Sequence, residues 1–304
     1  MQERRLVVLL LLLLQGCVRG QAYTCLSATN FLNAQYTVSI GVGTPPQNLS
    51  CVMDTGSFEL LVASDECTGC GDHKKYRHPA SSTFEPKVPE ELITTVFGQG
   101  KVISEAVYEN AKVGDITVAH QSVLMMKTNE LRDYGDAAYD GVVGLGVSNA
   151  ARNGDADLSL MSQMGVDKVS ICFGQHNGEP GRVEFGVNQD DGLEFKELPV
   201  IGDQHWAVEL STVGIRGNDG ATLTINGCEQ EGCNAIVDSG TSLIAVPTNI
   251  LNSMLDVIGD IDPDCNGVCT LRTVSIALGI ALPTYSQGIG RLSQCVCPPQ
   301  ALHT

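Results

Sequence analysis

Basic residues are scarce in this chain of 304 residues: Lys and Arg number 18 against 35 Asp and Glu, for a formal charge of −17. A phosphate backbone demands a basic face, and none is visible, so nucleic acid is not expected as a partner. Long apolar stripes with a 3.6-residue period are scarce too. Instead, 33 Gly and 12 Pro punctuate short apolar runs, which predicts an all-β protein. No apolar run makes a comfortable membrane span. The run Leu6 to Leu14 follows Arg4 and Arg5 and reads as the centre of a secretory signal peptide over residues 1–20. No stable span is expected once that leader is cleaved. The next stretch, Gln21 to Gln35, has no Lys or Arg.

Cysteine is not scarce. Twelve in a chain with a secretory leader imply disulfides. Cys67 and Cys70 can close a tight loop, as can Cys228 and Cys233. The pairing of Cys17, Cys25, Cys51, Cys172, Cys265, Cys269, Cys295 and Cys297 stays open, and Cys51 reads as a small buried hydrophobe. His73 and His78 follow the Cys67/Cys70 pair too closely for a zinc finger. Asp260, Asp262, Asp264 and Asn266 suggest a calcium loop, but Pro263 and the position of Gly267 break its pattern. No metal and no cofactor are expected. Asn48-Leu49-Ser50 is an N-glycosylation acceptor if Asn48 is exposed.

Two short stretches read almost alike. Val52-Met53-Asp54-Thr55-Gly56-Ser57 and, far downstream, Ile236-Val237-Asp238-Ser239-Gly240-Thr241 each end an apolar strand in Asp, hydroxyl residue, Gly, hydroxyl residue. Either Asp alone is an ordinary turn residue. Together they suggest a duplicated unit that brings two carboxylates together. Around them, Tyr36 to Val42, Leu49 to Met53, Asp140 to Gly146, Val169 to Phe173, Arg182 to Gly186, Trp206 to Leu210, Ala221 to Ile225 and Ala235 to Val237 read as strands. Ile93 to Val96 and Lys101 to Tyr108 flank a hairpin tip at Phe97-Gly98-Gln99-Gly100. Leu158 to Met164 and Thr248 to Ile258 read as helices, with Thr248 as a cap.

In these linked motifs the chain resembles the pepsin-like aspartic proteases. The signals are Ile40-Gly41-Val42-Gly43-Thr44-Pro45-Pro46-Gln47, Asp54-Thr55-Gly56-Ser57, Ser81-Ser82-Thr83-Phe84, the glycine hairpin, Asp140-Gly141-Val142-Val143-Gly144-Leu145, and Asp238-Ser239-Gly240-Thr241 running on to Pro247. The resemblance implies a bilobal all-β fold with a cleft between two lobes, here residues 21–194 and 195–304. It implies Asp54 and Asp238 as the catalytic pair, activating one water to hydrolyse peptide bonds. Thr55 and Ser239 would lock the two loops, Gly56 and Gly240 would let the backbone approach the carboxylates, and Ser57 and Thr241 would orient their outer oxygens. Phe97, Gly98 and Gln99 would form a flap over an extended peptide. The Cys67/Cys70 and Cys228/Cys233 loops fall where the family places disulfides.

The sequence departs from its relatives in three places. Phe97 stands at the family's flap tyrosine and Leu61 at its tryptophan partner, which points to apolar subsites. No basic prosegment precedes Tyr36. The second lobe has no visible match for Val142-Val143-Gly144, and Thr270 to Thr304 contains no Asp or Glu, so this lobe reads as truncated and atypical after about residue 269. Ile276 to Leu282 reads as a further strand, and Cys295-Val296-Cys297-Pro298-Pro299 as a loose tail. The expectation is a monomeric aspartic endopeptidase, secreted or vacuolar; the alternative is an inactive peptide-binding relative.

Overall fold

The computed structural model describes residues 24–147, 159–174, 176, 178–186, 198–217, 222–225, 233–261, 274–280, 291–292 and 295–296. The leader, Cys228, and the Asp262 to Asn266 stretch lie outside them. The strands are β1 (Thr24–Phe31), β2 (Gln35–Val42), β3 (Gln47–Asp54), β4 (Leu60–Thr68), β5 (Glu85–Pro86), β6 (Leu92–Phe97), β7 (Gly100–Val113), β8 (Ile116–Asn129), β9 (Gly141–Gly144), β10 (Val169–Phe173) and β11 (Gly181–Phe185). They continue as β12 (Leu198–Pro199), β13 (Ala207–Gly217), β14 (Thr222–Ile225), β15 (Cys233–Ile236), β16 (Val274–Ile280), β17 (Arg291–Leu292) and β18 (Cys295–Val296). Two α-helices interrupt them among the described residues, α1 (Leu160–Gln163) and α2 (Thr248–Ile261). The architecture is all-β, as the short punctuated apolar runs predict.

Strands β1 to β11 form one large mixed sheet, and β2 pairs with β7 as well as with β3. A second, four-stranded sheet is built on β13, which pairs with β14, β15 and β16; β12 and β17 make a short ribbon. Three apolar clusters follow this division. The largest joins Ile40, Leu49, Val107 and Phe185. Another joins Leu61, Ile93, Leu124 and Val142. The third packs Leu210, Val213 and Ile225 against Ile250 and Met254 of α2.

Strand β3 shows how the sequence dictates this. Its first half alternates, with Asn48 and Ser50 outward and Leu49 buried. From Cys51 onward every residue is buried, because β9 lies parallel beside β3, in register from Cys51↔Gly141 to Asp54↔Gly144. The same β9 pairs antiparallel with β4, Leu60↔Val143. Only glycine fits at the crossing. A Cβ at Gly141 would lie 2.5 Å from the Leu61 carbonyl oxygen, and one at Gly144 would collide with the Phe58 backbone.

Several sequence-based boundaries shift. The return strand of the hairpin runs on to Val113, because it pairs along most of its length with β8. The first helix is only one turn, with Ser159 as its N-cap. Thr24–Phe31 is a strand between β2 and β11, a role its sequence did not disclose. The tail is not wholly loose: Cys295 and Val296 pair parallel with Cys172 and Phe173 of β10, and so join the large sheet rather than the second one. Backbone hydrogen bonding to an open sheet edge does not require a strand-like sequence, which is why the tail's composition was silent.

Asp140 ties the floor of this sheet together. Its carboxylate accepts the Ser50 N–H at 2.8 Å and the Lys74 N–H at 2.9 Å, and its own N–H reaches the Ser50 carbonyl at 2.6 Å. His73 lies 3.7 Å from the same carboxylate and packs on the Tyr134 ring. Replacing this side chain leaves two part-buried N–H donors without their acceptor, each costing up to about 1–3 kcal/mol. Asp140→Ala should therefore lower the free energy of urea unfolding by roughly 2–4 kcal/mol, and Asp140→Asn by less.

Candidate active site

Strand β3 ends on Asp54, still paired with Gly144, and strand β15 leads to Asp238 two residues past its end. The Asp54 carbonyl accepts the Leu145 N–H at 2.7 Å, so the residues after β9 brace the first loop from beneath. The second loop is braced through Trp206, whose carbonyl accepts the Val237 N–H at 2.9 Å. Trp206 also donates its indole N–H to the Leu145 carbonyl at 2.7 Å. One residue thus touches the supports of both loops.

The two loops hold each other reciprocally. Thr55 donates its hydroxyl to the Val237 carbonyl at 2.7 Å, and Ser239 donates its own to the Met53 carbonyl at 2.5 Å. Each hydroxyl oxygen then accepts the other loop's backbone N–H, Thr55 N–H to Ser239 at 3.1 Å and Ser239 N–H to Thr55 at 2.9 Å. All four polar groups at the centre are satisfied across the pair, and neither loop can satisfy them alone.

The carboxyl groups are dressed alike. Asp54 accepts the Gly56 N–H on Oδ1 at 2.9 Å and the Ser57 hydroxyl on Oδ2. Asp238 accepts the Gly240 N–H on Oδ1 at 2.8 Å and the Thr241 hydroxyl on Oδ2 at 2.6 Å. While each glycine's N–H serves its own carboxylate, its missing Cβ makes room for the opposite one. A Cβ on Gly56 would lie 2.6 Å from the Asp238 carboxyl carbon, and one on Gly240 would overlap the Asp54 carboxyl. Each loop is made bare where the opposite carboxyl comes in.

Two acids so placed cannot both ionise cheaply. Asp54 is 8 % exposed. Burial pushes its carboxyl up to about 6; the Ser57 hydroxyl pulls against that rise, while the charge of Asp238 and a hydrogen bond with it add to it. The pair therefore keeps a proton well above the usual carboxylate range. Such a proton belongs to the pair rather than to one residue.

Beside the site, Phe97 ends β6 opposite Gly100, with Gly98 and Gln99 exposed at the tip. Phe97 packs against the cluster that contains Leu61, which is 3 % exposed and so forms no open subsite floor here. The apolar pair closes on itself, leaving Phe97 as the surface of the two. Tyr139, absent from the sequence-based set, is held in the same cluster. Burial and then the charge of Asp54 push its phenol up, which places it electrostatically near the pair. Its only sequence signal was an aromatic residue directly before Asp140-Gly141. Cys67 and Cys70 are bonded to each other, and Cys172 and Cys233 each take part in a further disulfide. Among the described residues no cluster of His, Cys, Asp and Glu could hold a metal, and no helix is long and apolar enough to cross a membrane.

Comparisons with known proteins agree with this geometry. The family model described as eukaryotic aspartyl protease matches residues 35–279. The chain is 31 % identical over 264 residues to vacuolar protease A of Neurospora crassa, covering 82 % of this chain and 64 % of that protein. It is 29 % identical over 272 residues to gastricsin of Mus musculus, covering 83 % and 67 %. It is 33 % identical over 242 residues to aspartic proteinase oryzasin-1 of Oryza sativa subsp. japonica, covering 76 % and 46 %. The chain thus spans about two-thirds or less of the length of these relatives.

Two outcomes follow for stability. Asp54 has an ordinary value of 3.8 and keeps its proton up to about 6 when folded. Between these values the folded chain holds a proton that the unfolded chain has released. Stability is therefore lost as pH rises through that window, by roughly 3 kcal/mol. Asp54→Asn lacks this term. Its unfolding free energy relative to the parent should rise by about that amount between about pH 4 and about pH 7, read by denaturant titration. Thr55→Val leaves the Val237 carbonyl and the Ser239 N–H unmatched, and should cost about 2–4 kcal/mol. Adding Ser239→Ala should cost less than the sum of the two.

Proposed function

Because the chain belongs to the eukaryotic aspartyl protease family, we propose that it hydrolyses peptide bonds as an aspartic endopeptidase, with Asp54 and Asp238 as the catalytic pair. The observation that carries this reading is the crossed packing, each carboxyl seated against the other loop's glycine. Each Oδ1 accepts its own glycine's N–H, and the two carboxyl groups are close enough to share a hydrogen bond.

A water between those oxygens is the nucleophile. The ionised carboxyl takes a proton from it as its oxygen bonds to the scissile carbonyl carbon, and the protonated carboxyl donates to the carbonyl oxygen. Collapse of the resulting gem-diol breaks the C–N bond, and the amine leaves with a proton from the pair. No acyl-enzyme forms. The Ser57 and Thr241 hydroxyls fix the outer oxygens, so little reorganisation accompanies the shift of charge. The hairpin tip at Phe97, Gly98 and Gln99 covers an extended peptide and excludes bulk water. Phe97 offers the substrate an apolar face with no hydroxyl, so the preference is for apolar side chains beside the scissile bond. Substrates are peptides or proteins in extended conformation, and the chain works alone. The leader-like run and the many cysteines support a secretory or vacuolar lumen, and the vacuolar name of one relative is in keeping with that.

The purified chain should cleave a peptide with apolar residues about the scissile bond at acidic pH. The value of about 6 for Asp54 sets the upper limb: kcat/KM should fall about tenfold per pH unit above it, as the shared proton is lost. Asp54→Asn and Asp238→Asn should each lower kcat by at least about a thousandfold, with peptide binding retained. Undiminished hydrolysis in either variant would remove the pair from the reaction.

A further inference from the structure

We propose that Asn48 carries an N-linked glycan, and that its first sugar, an N-acetylhexosamine, rests in a groove built across β2, β3 and β7. The proposal does not depend on the peptidase reading. Asn48-Leu49-Ser50 is the only Asn-x-Ser/Thr triplet in the 304 residues in which x is not Pro. On β3 the two-residue period settles its orientation: Leu49 is buried, while Asn48 and Ser50 both face outward and are exposed. Among the described residues neither the Asn48 amide nor the Ser50 hydroxyl is engaged in a side-chain hydrogen bond. A glycan fixed to Asn48 before folding therefore stays outside as the sheet closes, and displaces no native contact.

The surface beside Asn48 is shaped to receive a ring. An open groove of about 420 Å³ is lined by Ser39, Gly41, Pro46, Asn48, Lys112 and Gly114. Its floor exists because Gly41 stands opposite both Asn48 and Lys112 in the sheet. A Cβ there would lie 2.9 Å from Pro46 Cβ, 3.2 Å from Lys112 Cβ and 3.3 Å from Asn48 Oδ1, filling the space. The Pro46 ring offers an apolar wall for the face of a sugar. Exposed Ser39 and Lys112 offer a hydroxyl and three ammonium donors, and Lys112 has no ion-pair partner among the described residues. The acetamido carbonyl and ring hydroxyls are the matching acceptors.

The covalent step needs a sugar donor, an oligosaccharide linked through diphosphate to a lipid. Asn48 Nδ2 forms a bond to C1 of the reducing-end sugar and gives up one proton to the transferase. The C1–oxygen bond to phosphate breaks, and its electron pair leaves with the lipid diphosphate. No oxidation or reduction is involved.

The test places residues 21–304 behind a cleavable secretory leader of known efficiency, so that the chain's own leader is not in question. It is expressed in eukaryotic secretory cells. A single mobility step should be removed by peptide N-glycosidase, and in heavy-oxygen water the peptide containing Asn48 should gain a labelled Asp. Asn48→Gln and Ser50→Ala should abolish the step, Ser50→Thr should keep it, and Asp54→Asn should leave it unchanged. Absence of the step, or its survival in Asn48→Gln, would overturn the site. The groove has its own readout. The glycosylated protein should have a thermal midpoint about 2 °C above that of Asn48→Gln, which lacks the glycan without gaining a charge at 48, the scale of one or two weak hydrogen bonds in a chain of this size. In the Ser39→Ala, Lys112→Ala double variant that difference should vanish. An equal difference in both proteins would leave the glycan in place but unseated, and would end the groove proposal.

Discussion

The structure depends on a reciprocal clasp between two loops 184 residues apart in the chain. Thr55 and Ser239 each donate to a carbonyl of the opposite loop and accept its N–H. The clasp has to oppose a real force. Two carboxyl groups against one another repel once both ionise, and burial of Asp54 leaves little water to screen them. A rigid hydrogen-bonded frame holds the acids together, and the retained proton relieves their repulsion. Remove either and the other becomes harder to sustain.

The two carboxyls are dressed alike but supported unequally. Beneath Asp54, β9 lies between β3 and β4 and buries both neighbours: Val52 is 7 % exposed and Leu60 is 1 % exposed. The residues at the same distances from Asp238 are Ile236 at 52 % and Ile244 at 64 %. Among the described residues β15 pairs only with β13. The second loop instead borrows its position from the first half, through Thr55, through Trp206 against Leu145, and through Ser242, whose hydroxyl donates to the Ala34 carbonyl at 2.6 Å. Among the described residues, the first half thus supplies contacts that position both aspartate loops.

What could be read from residues alone follows from local rules. Period-two alternation gave β2 and the outer half of β3. Glycines gave the hairpin tip and the crossing at Gly141 and Gly144, and the twin motifs gave the pair of loops. What escaped depends on contacts with no local signature. That the bare Cα of Gly56 makes room for Asp238, and that of Gly240 for Asp54, is decided by how the halves meet. Tyr139 and Trp206 join the site through packing at long sequence distance. Leu61, expected to line a subsite, is instead covered, because the composition of a cluster does not say which member faces outward. The small strand at Cys295 and Val296 is recruited by an open edge, which no composition rule describes.

The uncovered residues Ile236, Leu243, Ile244, Leu251 and Leu255 have a consequence beyond catalysis. Exposed apolar side chains of this kind favour association with other copies or with chaperones until something shields them.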